Sequence, residues 1–103
     1  MIICTTDAIP GREIKEILGL VKGNTVRAKH VGRDIMAGFK NIAGGEIKSY
    51  TSLLSEARDQ AIERMTAEAA KLGADAIVEM RLTTSQISQM ASEVLAYGTA
   101  VKF

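Results

Sequence analysis

Residues 51–80 read TSLLSEARDQAIERMTAEAAKLGADAIVEM. Leu54, Ala57, Ala61, Met65, Ala69 and Leu72 recur there at steps of three and four, so at 100° per residue they share one stripe. The spacing predicts a helix over Thr51–Leu72. Three of the six stripe residues are alanine, which lets the helix lie close to whatever it covers. Gly73 follows as the residue that takes a left-handed conformation and ends the helix.

Downstream, Ala74–Thr83 reads as a strand with Ala76, Val78, Met80 and Leu82 on one face and Ile77, Glu79, Arg81 and Thr83 on the other. Thr84–Ala91 is polar and reads as a long hairpin connection. Ser92–Phe103 reads as the last strand. Its Val94, Ala96, Gly98 and Ala100 are small enough to receive the alanine-rich helix, and Leu95, Tyr97, Val101 and Phe103 point the other way.

Upstream, the β-branched start Met1–Thr6 reads as a strand. Pro10-Gly11 punctuates the chain. Ile14, Ile17, Leu18 and Val21 then fall at helical spacing and predict a helix over Arg12–Val21, stopped by Gly23-Asn24. Thr25–Val31 reads as a strand. Ile35, Phe39 and Ile42 predict a short helix over Arg33–Ala43, closed by Gly44-Gly45. The order is β-α-β-α-α-β-β. That is an α+β two-layer sandwich, a mainly antiparallel sheet with its helices on one face. The 103 residues make a single domain, 1–103.

The opposite sheet face then needs cover. Ile77, Leu95, Tyr97, Val101 and Phe103 would otherwise form an exposed apolar patch, and such patches mark interfaces. The expected partner is a second copy of the chain. Only four residues are aromatic, two Tyr and two Phe, and there is no Trp. A core this poor in rings gains from burying surface between copies. No run approaches the roughly 18 apolar residues of a membrane span, and the N-terminus lacks the features of a signal peptide. With one cysteine, Cys4, no intrachain disulfide is possible, which fits the cytoplasm. The net charge of +1 points to no polyanion. Lys22, Arg27, Lys29, Arg33 and Lys40 face only Asp34 in their segment. They read as a solvated strand edge, because no aromatic side chain is interleaved to stack a base.

Thr5-Thr6, Gly11, Ile14, Gly19-Leu20-Val21, Gly23, Gly44-Gly45-Glu46, Tyr50, Arg58, Ala61, Met65, Ala69, Gly73-Ala74-Asp75-Ala76-Ile77-Val78 and Tyr97-Gly98-Thr99-Ala100-Val101 together carry a resemblance. The chain resembles the YbjQ-like family of small bacterial and archaeal proteins, whose label is "putative heavy-metal-binding". The resemblance spans nearly the whole chain. It implies a dodecin-like subunit and a pentameric ring.

Candidate ligand-binding residues are Arg58, Gly44, Gly45, Glu46, Tyr50, Tyr97 and Thr99. Arg58 and Glu68 lie near the centre of the long helix's apolar stripe, where a charge must be paired, at an interface or escaping to solvent. An anion clamped by Arg58 is the sharper reading for that residue. Gly44-Gly45-Glu46 could form a nest of backbone N–H groups, and it lacks the spacing of a phosphate-binding loop. For metal, Cys4 and His30 are the candidates. They sit on different strands with no Cys-x-x-Cys or paired histidine, so only repetition around a symmetry axis would gather enough ligands. No cofactor is indicated. Nucleophilic catalysis would need Cys4 beside a base, and nothing in the sequence places one there. The reading is a binding or scaffolding homo-oligomer, with a metal-ion binder and a small enzyme built on Cys4 as the alternatives.

Overall fold

The computed structural model describes residues 1–28, 42–43, 46–89 and 91–103. The long helix, α1, runs Lys48–Lys71. Ala57, Ala61, Met65 and Ala69 are fully buried along it, as the stripe requires, while Leu72 is exposed. Gly73 has φ 75°, and its N–H and that of Ala74 bond back to Ala70 and Ala69. The helix therefore ends on a left-handed glycine.

Among the described residues six strands accompany it: β1 (Ile2–Ile3), β2 (Glu16–Ala28), β3 (Ile42–Ala43), β4 (Glu46–Ile47), β5 (Ala76–Ser88) and β6 (Ala91–Lys102). The main sheet has the order β1-β5-β6-β2. β1 runs parallel to β5, and the other pairs are antiparallel. β3 and β4 pair separately, Ile42 with Ile47 and Ala43 with Glu46. The α+β class, the mainly antiparallel sheet and the helix on one face are as read from the sequence.

The expected helix over Arg12–Val21 is not formed. Glu16 to Ala28 is instead one thirteen-residue strand, so Gly23-Asn24 stops nothing. A bulge between Ile17 and Gly19 explains the misleading period. Leu18 and Val21 pack toward the helix, and Ile17 and Leu20 point away, which imitates helical spacing. Thr84–Ala91 is likewise no loop, because β5 continues to Ser88 paired with β6. The expected Thr25–Val31 strand is formed through Ala28; its remainder and nearly all of the expected helix over Arg33–Ala43 lie outside the described residues, except that Ile42–Ala43 form β3.

The helix packs on β2 and β6. Val21, Ile77, Val94, Ala96 and Ala100 meet Ala57, Ala61, Met65 and Ala69 in one core. Burying each larger member contributes roughly 1.5–3 kcal/mol. A Cβ on Gly23 would collide with the carbonyl oxygen of Ala61 and the amide nitrogen of Met65, so the helix backbone rests directly on the strand.

Ile77 thus faces the helix and Ala76 and Val78 the far side, which corrects the expectation that Ile77 belongs to the uncovered face. The strand bulges between Val78 and Arg81, which puts Met80 on the helix side and Arg81 on the other. The segment between β1 and β2 folds under the far face of the sheet. There Cys4, Ile9, Ile14 and Phe103 pack on Ala76, Val78 and Val101. Val101 is buried by its own chain, which corrects the expectation that this whole face lies open. Phe103 is covered with it and Leu95 is half-buried, so Tyr97 is the one member of the expected patch that stands exposed, joined on this face by residues of β2. Ile17 is 71% exposed, Leu20 66%, Val26 54% and Tyr97 37%.

Candidate functional site

The open face is organised by register. Leu20 stands opposite Thr99, Lys22 opposite Tyr97 and Asn24 opposite Leu95. On the other side of β6, Tyr97 stands opposite Arg81. Tyr97 therefore sits between two cationic positions on neighbouring strands. One end of the face drops into a cleft of about 200 Å³ lined by Asp7, Ile14, Ile17, Glu79 and Thr99, with Val78 and Val101 among the remaining wall.

Glu79 is the one described non-glycine residue with positive φ, 53°. Its conformation is imposed from below. The Glu79 N–H bonds the Thr6 carbonyl at 3.0 Å, and the Met80 N–H bonds that of Cys4 at 3.0 Å. The Arg81 guanidinium donates to the carbonyls of Thr5 and Met80. The bulge is thus tied to the Cys4–Thr6 backbone, and it delivers Glu79 to the cleft that Asp7 also lines. Sequence reading placed Glu79 by alternation and could not find this.

Arg58 is exposed on α1, so it lies off the buried stripe, on the opposite side of the sheet from Tyr97 and Thr99. Within one chain these candidates do not meet. Glu68 is also exposed and lines a second cleft with Lys22, Asn24, Glu93 and Leu95. Glu46 belongs to β4 and Tyr50 to the first turn of α1. Gly44, Gly45 and His30 lie outside the described residues. The Cys4 thiol is half-buried and donates to the Thr6 carbonyl at 3.6 Å.

Among the described residues no three His, Cys, Asp or Glu side chains gather as a metal site. Asp7 and Glu79 offer two carboxylates at one cleft, fewer ligands than a closed site takes. A described metal centre is therefore not complete within one chain. No described helix is long and apolar enough to cross a membrane.

A family model described as "Putative heavy-metal-binding" matches residues 1–103. The chain belongs to the YbjQ family. Its relatives include a "UPF0145 protein" of the bacterium Thermosipho melanesiensis, 64% identical over 102 residues that cover 99% of this chain and 94% of the relative. Another, from Archaeoglobus fulgidus, is 63% identical with the same coverage. A crystal structure of a protein of unknown function from the DUF74 family of Pediococcus pentosaceus superposes with a TM-score of 0.67. It covers 100% of this YbjQ-family chain and 97% of its own at 20% identity, a likeness of fold alone.

Proposed function

We propose that the protein is a cytoplasmic, non-catalytic homo-oligomer, a pentamer by its family resemblance, that binds or scaffolds a small ligand where subunits meet. The observation that carries this reading is the uncovered sheet face. Ile17, Leu20, Val26 and Tyr97 stand exposed in one sheet, and no described element of the chain lies over them. Exposed apolar residues gathered on one sheet face favour association. The surface area agrees. The chain exposes 6732 Å², against roughly 5,600 Å² for a compact monomer of its mass. Assembly would also let Arg58 of one copy approach Tyr97 and Thr99 of another, which one chain alone does not achieve.

Light scattering after size exclusion tests the assembly. A species of several subunits at micromolar concentration is expected, and a clean monomer would end this reading.

A second reading, heavy-metal-ion binding through ligands from symmetry-related copies, draws on the family description and on the two carboxylates at the cleft. Equilibrium dialysis against Zn²⁺ tests it. Uptake lost in both Asp7→Asn and Glu79→Gln supports the cleft as the site, and no stoichiometric uptake by the assembled protein removes the reading.

A further inference from the structure

The structure assigns an oxyanion site, of the kind that takes a phosphate group, to the junction of α1 and β2, with Arg27 and Arg64 as its cationic walls. It lies within one chain and does not depend on the subunit-interface reading. Thr25, on the helix side of β2, is only 2% exposed. Its hydroxyl donates to Gln60 Oε1 at 3.2 Å. The Arg27 guanidinium donates to the same oxygen at 3.0 Å. Arg64, one helical turn beyond Gln60, donates to the Thr25 hydroxyl at 3.4 Å and to the Asn24 carbonyl at 2.6 Å. Two cationic guanidinium groups are thereby joined through one amide and one hydroxyl, both neutral.

Among the described residues neither arginine meets a carboxylate. Arg27 Nε is shielded from solvent and has no hydrogen-bond partner. Arg27 is half-buried and Arg64 exposed, and two like charges tied to the same amide and hydroxyl favour an anion that can meet both. Arg27 directs one Nη to Gln60, and Arg64 directs one to the strand, which leaves N–H donors of both forks for an incoming ligand. Guanidinium forks match the oxygens of phosphate in geometry as well as charge. A single carboxylate would satisfy one fork, whereas a tetrahedral dianion has oxygens for both.

The test is calorimetric titration of inorganic phosphate into the assembled protein at constant ionic strength, set against chloride. Saturable binding is expected, weakened about tenfold or more in Arg64→Gln and in Arg27→Gln. The exposed Lys71→Gln, which removes the same charge elsewhere on α1, should leave it unchanged. If Arg27→Gln does not fold, Arg64→Gln decides alone, since Arg64 is exposed. Glycerol phosphate titrated in parallel separates the sources: tighter binding than the free ion assigns the site to a phosphate ester, and weaker binding assigns it to inorganic phosphate. Binding no stronger than chloride, or equal binding in wild type and both arginine variants, overturns the proposal. Absent phosphate binding together with an Arg64→Gln variant that splits the assembly also overturns it, because the anion would then be a carboxylate of another copy. Light scattering on the same samples reports the assembly separately, so failure of this site and failure of the oligomer reading are told apart.

Discussion

Glu79 holds a conformation that L-residues other than glycine enter at a cost of about 1–2 kcal/mol. Its N–H is spent on Thr6, and its side chain is exposed beside the cleft. Glu79→Gly is therefore expected to keep stability or raise it by up to about 1 kcal/mol in urea unfolding. A clear loss would mean that the carboxylate itself supports the fold. Gly23 is the opposite case. Gly23→Ala must push the helix backbone off the strand and is expected to cost about 3 kcal/mol, read from the shift in the urea midpoint. The sequence reading of Gly23 as a helix stop came from its glycine character alone. Its true role depends on a helix that begins some 25 residues later. The Arg27–Gln60–Thr25–Arg64 cluster was hidden for the same reason, since nothing in either segment announces the other. Tyr97 was placed on the correct face because β6 itself alternates there, the bulge lying in β5 opposite it.

At the level of elements, α1 was legible almost to its ends because a 24-residue helix repeats its stripe often enough to define a period. β6 was legible because its small residues and its large ones separate cleanly by parity. β2 was not. One bulge at Leu18 shifts its phase by a residue, and a strand with a phase shift shows apolar residues at steps of three and four. β5 failed differently. Its outer half is exposed throughout from Arg81 to Ser88, so selection for apolar residues is relaxed and the part from Thr84 onward looks like a loop. The core between α1 and the sheet is built from alanine, with Met65 as its largest fully buried side chain. Met65→Ala leaves a cavity against Val21 and Val94 and is expected to cost about 2–5 kcal/mol, with the helix signal in circular dichroism melting earlier.

For the whole molecule, the principal extents are 52 × 25 × 17 Å and the radius of gyration is 16.9 Å, against roughly 13 Å for a compact chain of this length. The N-terminal segment covers one end of the far sheet face, and the other end stays bare. Leu20→Glu places a charge in the middle of that bare region without touching the α1 core. It is expected to reduce the assembly to smaller species in light scattering while the far-ultraviolet spectrum is kept. An unchanged mass would move the contact surface elsewhere. The split between a covered and an uncovered half of β5 also sets a gradient along a single strand. Ala76, Ile77 and Val78 lie between two packed layers, whereas residues 82–87 are exposed and, among the described residues, pair with β6. Amide protons in the first group should survive in deuterated solvent until global unfolding, and those in the second should exchange far sooner through local fraying. A protease that cleaves extended chain would make its first cut in that same overhanging ribbon.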